Sequence, residues 1–241
     1  KFCVQENIVY TISADTLINY GNMEFSMRAP TIYISIMYES FVRLENYIKE
    51  LCLSDNHYSM HNYTNTKQFY SLDTWFVKKT SVALSNNAEE EFYYGAKLVI
   101  TPLFFAGSNY KEWSKVYKRY KNVIATYNLP ALLPKKPIMS RIRQFPKRYL
   151  TNYYRKYKGK CTIAEIRNNL SKNPESNYIL YPFVASKYRT PNTIPWVVNK
   201  ESFYMTRAIW SDVKVVEICG VQCYCMKDVD KYLKCFPCEY I

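Results

Sequence analysis

Thiols, imidazoles and a block of cations are the groups in this chain whose types and spacing could do chemistry. Five of the eight cysteines, Cys219, Cys223, Cys225, Cys235 and Cys238, fall within twenty residues, while Cys3, Cys52 and Cys161 stand far apart. A zinc site takes two pairs of thiolates at knuckle spacing; Cys235-Phe-Pro-Cys238 has that spacing, and Cys223-x-Cys225 is too short. Disulfides within a subunit or between subunits suit all eight better, with zinc on the C-terminal group as the alternative. A thioredoxin-like role for residues 235–238 is disfavoured, because that motif opens a helix after a strand.

His57 and His61 are four apart, a spacing that could hold a metal on a helix, but Asp55 is the sole nearby candidate for a third ligand. They read as part of a solvated loop. With two histidines in all, and no Ser/His/Asp or Cys/His order, His-based acid–base or nucleophilic chemistry has few candidates. The five glycines are scattered singly, so no phosphate-cradling loop is present and nucleotide-dependent enzymes are disfavoured. No catalytic residue, cofactor or metal is expected.

The cations are concentrated. From Trp113 to Ala164 there is no acidic residue, and Lys135, Lys136, Arg141, Arg143, Lys147, Arg148, Arg155, Lys156, Lys158 and Lys160 alternate with Phe145, Tyr149, Tyr153, Tyr154 and Tyr157. Positive charge interleaved with rings is what a nucleic-acid groove needs, since phosphates attract cations and unpaired bases stack on aromatics. The same segment suits the acidic faces of neighbouring copies or a solvated face, and that protein-contact reading is favoured here, with nucleic acid as the alternative. Tyrosine is abundant, at 25 residues. Tyr110, Trp113, Tyr117, Tyr120, Ile124 and Tyr127 follow helical spacing. A phenol buries a large ring but needs a partner for its hydroxyl, so such a stripe suits a contact between subunits.

The elements that must position these groups read as helices. Tyr33, Met37, Phe41, Leu44, Ile48 and Leu51 recur at gaps of three and four, which predicts a helix over 31–53, although Ile32, Ile34 and Ile36 also alternate as a strand would. Glu39/Arg43 and Glu45/Lys49 read as acid-before-base pairs on its surface. Further helices are expected from Ser71 to Asn86, from Asn87 to Pro102 with Glu89 to Glu91 in its first turn, and from Ser108 to about Tyr127. Short helices are expected at 162–166, 183–189, 193–204 and 227–233, with a small hairpin over 213–225 turning at Gly220. The first dozen residues read as an arm.

At 241 residues the chain forms one large domain or two small ones. The expected partition is a helical body over 1–130, a basic proline- and tyrosine-rich connector over 131–160 and a mixed, cysteine-rich part over 161–241, or one domain overall. The first 30 residues lack a signal peptide's basic-then-apolar layout, and no apolar run is long enough to be expected to span a membrane. Asn62-Tyr-Thr64 and Asn169-Leu-Ser171 match the glycosylation sequon, a pattern that often arises by chance.

Two resemblances follow from these residues. Ala185-Ser-Lys-Tyr, the turn at Thr190-Pro-Asn, the helix around Trp196, the hairpin at Gly220 and Asp228-Val-Asp-Lys-Tyr-Leu233 resemble small excisionase-type winged-helix modules, though Pro195 interrupts the would-be recognition helix and the insert before the hairpin is long. In length, in its tyrosine-heavy, proline-punctuated chain and in Cys3, Cys235 and Cys238 near both ends, the whole chain resembles the occlusion-body matrix proteins (polyhedrins) of large insect DNA viruses, the nudivirus type in particular. That resemblance implies a mainly α, irregular helical subunit with extended terminal arms and at most a small hairpin near the C-terminus. It would self-assemble into a crystal around virions, in the nucleus of an infected cell, and would not be an enzyme. Tyr110, Tyr117, Tyr120, Tyr127, Tyr149, Tyr153, Tyr154 and Tyr157 would make lattice contacts. Alkali would release the lattice, because deprotonating tyrosines and lysines carries the net charge from +13 toward roughly −35. The alternative is a basic nucleic-acid-binding protein using Lys135 to Lys160.

Overall fold

A computed structural model describes residues 2–13, 16–17, 31–66, 69, 71–79, 96–107, 111–112, 114–116, 118–120, 159–182, 204–218 and 221–233. The chain is not mainly α. Its centre is a mixed seven-stranded sheet in which β1 (Tyr10–Ile12), β2 (Thr31–Met37), β5 (Ala96–Phe105), β4 (Thr74–Lys78) and β3 (Tyr58–His61) lie side by side in that order. β6 (Tyr178–Leu180) pairs with the far end of β5, and β7 (Tyr204–Thr206) pairs with β6.

The expected helix over 31–53 is corrected to a strand followed by a helix. Residues 31–37 form β2, parallel to β5 from Thr31↔Lys97 to Met37↔Leu103. α2 starts at Tyr38 and ends at Ser54. The alternating isoleucines decide the first part, because β-branched side chains fit a pleated surface and Ile34 and Ile36 are both buried in it. From Tyr38 onward the buried residues are Phe41, Leu44 and Ile48, one face of a true helix. Glu39 sits in its first turn, where the positive end of the dipole favours it.

Where they are described, two further expected helices are strands. TWFVK forms β4 and AKLVITPLFF forms β5, which has six consecutive buried residues, Val99 to Phe104. A central strand covered on both faces shows a continuous apolar run instead of alternation. Pro102 does not interrupt it. Ala106 donates its N–H to the Tyr178 carbonyl, so by alternation position 102 also faces the edge that β4 and β6 share. β4 pairs only as far as Ile100 and β6 begins at Phe104, so the missing N–H of Pro102 falls between them.

Parity along the strands separates two cores. Ile34, Ile36, Leu98 and Ile100 pack with Phe41, Leu44 and Ile48 of α2 on one face. Tyr33, Met37, Leu103 and Phe105 pack with Ile179, Tyr181, Trp210, Cys225 and Met226 on the other. Each fully buried side chain of this kind contributes roughly 1.5–3 kcal/mol. The second face is closed by α4 (Ala208–Ser211) and by the hairpin of β8 (Val213–Ile218) and β9 (Val221–Met226), and α5 (Val229–Leu233) follows. This hairpin is the one expected over 213–225, with Ile218 opposite Val221. α5 falls within the expected helix at 227–233.

The N-terminal residues are not an extended arm. α1 (Phe2–Gln5) leads into β1, Ile8 and Ile12 are each 1% exposed, and the Phe2 ring stacks on Tyr47 at 3.9 Å. α3 (Gly159–Leu170) covers the expected short helix at 162–166 and extends it. Helical backbone at 111–112, 114–116 and 118–120 agrees with the helix expected from Ser108. The expected helix at 183–189, the expected helix at 193–204 apart from Tyr204, which opens β7, and the triple acid at 89–91 lie outside the described residues. No helix among the described residues is long and apolar enough to cross a membrane.

Candidate functional site

α3 presents Ile163, Ile166, Arg167 and Leu170 on its buried side. An arginine in the core-facing register of an otherwise apolar stripe must bring a partner with it. That partner is Glu45, 122 residues earlier on α2: Arg167 Nη2 donates to Glu45 Oε2 at 2.6 Å and Nη1 reaches Oε1 at 3.5 Å. Asn62 Nδ2 and Thr74 Oγ1 donate to Glu45 Oε1 at 2.9 and 2.6 Å. Arg167 Nε donates to the Tyr38 hydroxyl, and the guanidinium lies 5.0–5.5 Å from the rings of Tyr38, Phe41 and Tyr63. Both charged side chains are nearly buried, at 10% and 13% exposure.

Burial pushes the Glu45 carboxyl upward, but the bonds and charge of Arg167, with Thr74 and Asn62, outweigh it and hold the carboxyl below its ordinary value. Burial likewise opposes the Arg167 charge, and Glu45 and Tyr38 keep it more firmly protonated than usual. An ionised carboxylate with both oxygens engaged is a poor proton acceptor. The pair is therefore a joint that locks α3 to α2 and β4. A groove of about 690 Å³ opens beside it, between α2, α3 and the loop after β3, with Asn46, Lys49, Cys52, Asn65 and Asn168 on its walls.

The expected surface pairs on α2 are thus replaced. Glu45 turns inward to Arg167, and Arg43 reaches Glu6 in the N-terminal segment. The sequon at Asn62 is ruled out in this arrangement: Asn62 is 3% exposed, its amide nitrogen bonds Glu45, and its Oδ1 accepts from Thr64 Oγ1 at 2.6 Å.

A second polar cluster lies at the end of the 111–120 turns. Ser71 Oγ donates to Asp73 Oδ2 at 2.7 Å and Thr101 also bonds the carboxyl, while buried Oδ1 has no partner among the described residues. Burial pushes Asp73 up to about 6 against these two bonds. Tyr120, at 0% exposure, donates its hydroxyl to the Pro182 carbonyl at 3.1 Å. Its phenol is pushed well above the usual range by burial and by the nearby Asp73 charge.

Tyr120 therefore does not make the expected lattice contact. Its hydroxyl finds a partner inside the chain, so the ring serves the core. Tyr110, Tyr117, Tyr127, Tyr149, Tyr153, Tyr154 and Tyr157 lie outside the described residues. So do Lys135, Lys136, Arg141, Arg143, Lys147, Arg148, Arg155 and Lys156.

Cys3, Cys52, Cys161, Cys223 and Cys225 are free thiols, and Cys219, Cys235 and Cys238 lie outside the described residues. Burial pushes the Cys3, Cys52 and Cys225 thiols up. Tyr10 lies near both Cys3 and Cys223, and burial followed by these two groups pushes its phenol up to about 12. Cys161 is exposed while Cys225 is 1% exposed. Thiol titration of the native protein with an aromatic disulfide at pH 8 is expected to lose one fast-reacting equivalent in Cys161→Ser and none in Cys225→Ser. Equal losses would contradict the burial of Cys225.

His57 and His61 do not converge on a metal. His57 Nδ1 bonds Asp55 Oδ1 at 2.7 Å, and His61 bonds Thr66 and Ser59 at 3.2 and 3.0 Å. No group of three or more His, Cys, Asp or Glu that could hold a metal occurs among the described residues. Arg167, Glu45 and Asp73 were not singled out from the sequence as a site. The one signal for them was an arginine between Ile166 and Leu170 on an apolar helical stripe. Compared with known proteins, the chain matches no family model, no curated protein and no solved structure.

Proposed function

We propose that this is a non-enzymatic nucleic-acid-binding protein, in which a nearly charge-balanced body carries a basic, tyrosine-bearing segment. The observation that carries this reading is the partition of charge. The described residues hold 16 Lys and Arg against 13 Asp and Glu. Residues 121–158 hold ten Lys and Arg and no acid, against a net charge of +13 for the whole chain. Within the body the described arginines are already answered: Arg43, Arg119, Arg167 and Arg207 pair with Glu6, Glu165, Glu45 and Glu175. A run of cations without acid of its own is matched by a polyanion, and Tyr149, Tyr153, Tyr154 and Tyr157 supply rings for unpaired bases.

Both ends of that segment are fixed to the body. Arg119 just before it pairs with Glu165 just after it, and Tyr120 is anchored to Pro182. Binding of labelled single-stranded and duplex oligonucleotides between 50 and 200 mM salt tests the reading. Affinity is expected to fall by about three orders of magnitude for six or more phosphate contacts. Replacing 121–158 by a short Gly/Ser linker is expected to abolish binding and leave the unfolding midpoint nearly unchanged. Absence of binding to either oligonucleotide at 50 mM salt would overturn the proposal.

A second reading, a self-assembling occlusion-body matrix protein in the nucleus of an infected cell, is favoured by apolar side chains left outside. Val4, Leu53, Val215 and Val221 are 58–80% exposed. It predicts insoluble particles that dissolve in alkali with a thiol reductant, an outcome that the first reading does not produce.

A further inference from the structure

We infer that the groove between α2 and α3 binds a short saccharide, held at its floor by the Glu45–Arg167 pair and on its walls by Asn46 and Asn168. This goes beyond the nucleic-acid reading and does not rest on it. Every residue lining the groove is described, and its volume of about 690 Å³ falls within the range of about 300–1,000 Å³ that holds a small ligand.

Hydrogen-bonding capacity left over at the floor identifies the groups a ligand would bring. A guanidinium carries five N–H donors, and Arg167 uses one on the Tyr38 hydroxyl and two on Glu45. The remaining two N–H have no partner among the described residues, on a side chain 10% exposed that lines the groove. Glu45 Oε1 is crowded by Asn62, Thr74 and Arg167, whereas Oε2 accepts from Arg167 Nη2 alone. A spare donor and a spare acceptor therefore lie on atoms 2.6 Å apart. That combination suits a hydroxyl, which can accept from one and donate to the other. An ionised phosphate or carboxylate would meet the Glu45 carboxylate, and like charges repel.

The walls repeat the pattern. Glu45 is followed on α2 by Asn46 and Arg167 on α3 by Asn168, so each helix sets one amide next to its charged residue. Both asparagines are exposed, both line the groove, and neither side chain bonds another described residue. A carboxamide again offers donors and an acceptor together. Tyr63 and Leu53, the latter 80% exposed, add apolar surface to the same groove. Hydroxyls that both give and take, set round a ring with apolar C–H faces, are what a sugar presents to such a lining.

The test titrates the full chain with maltose, cellobiose, lactose and N,N′-diacetylchitobiose, and separately with inorganic phosphate, up to about 20 mM each. Alkylation of individual cysteines, followed by peptide mass spectrometry, locates the binding. Cys52 lines the groove, and exposed Cys161 does not. At least one disaccharide should slow alkylation of Cys52 in a saturable way and leave Cys161 unchanged. Asn46→Ala/Asn168→Ala should raise the half-saturating concentration roughly 25-fold, about fivefold for each amide lost. Its unfolding midpoint should stay within about 2 °C of the unsubstituted protein. Asn169→Ala, removing an exposed side chain of α3 that does not line the groove, should leave the protection unchanged. Failure of all four disaccharides to protect Cys52 overturns the proposal. Protection by phosphate with none by a disaccharide overturns it too, as does protection that is undiminished in Asn46→Ala/Asn168→Ala.

Discussion

Arg167→Ala is expected to cost about 3–5 kcal/mol, the range for removing one partner of a buried ion pair. The loss leaves the Glu45 carboxylate buried with Asn62 and Thr74 as its remaining partners and empties the space between Tyr38, Phe41 and Tyr63. Against a total stability of about 5–15 kcal/mol, such a change leaves the fold marginal. Urea unfolding followed by tryptophan fluorescence measures it. Arg167→Met combined with Glu45→Met should cost less than Arg167→Ala alone, because no charge is stranded. A loss below about 1 kcal/mol for Arg167→Ala would mean that α3 is not locked to α2 through this pair. The sign of the pH dependence follows from Glu45, whose carboxyl is held below its unfolded value. Its contribution is present above the unfolded value and is lost as pH falls through the folded one.

Asp73 works in the opposite direction. Its folded value is raised from 3.8 to about 6, so relative stability is greatest below about pH 4, falls as pH rises from about 4 to 6, and then levels off. A shift of this size corresponds to on the order of 3 kcal/mol. Asp73→Asn removes the titration and can keep an acceptor for Ser71 and Thr101. The stability of Asp73→Asn minus that of the unsubstituted protein should therefore grow with pH between 4 and 7. Urea midpoints at four pH values measure that difference, and a flat difference would show that the carboxyl is not perturbed. The difference isolates Asp73 from Glu45, whose acid loss is common to both proteins.

Local patterns recovered what is local. The hairpin over 213–225 and the helix around 162–166 announce themselves through alternation around a glycine and through apolar spacing. Phe41, Leu44 and Ile48 were readable for the same reason. The first seven residues of the expected long helix were lost because Tyr33 and Met37 happen to extend its spacing, while Ile32, Ile34 and Ile36 answer to a strand 66 residues away. β5 was misread because a strand covered on both faces loses its period, and because Pro102 looks like a helix stop until β4 and β6 are seen to leave it room. Neither polar site is legible pairwise. Glu45 has a lysine four residues on that suggests a surface pair, and nothing local points to Arg167. The cation-rich segment was legible because its signal is compositional, whereas a tyrosine stripe reads alike whether its hydroxyls meet a neighbour or, as for Tyr120, the chain's own carbonyl.

The proline in β5 also limits what other chains can do to this sheet. Between β4 and β6 the buried stretch 101–103 of the long strand pairs on that side with no strand among the described residues, and such an unpaired edge, once uncovered, is where foreign β-segments add themselves. A ring nitrogen at that position offers an intruder no hydrogen to bond. The gap that makes Pro102 tolerable is thus one where runaway strand addition finds a missing rung.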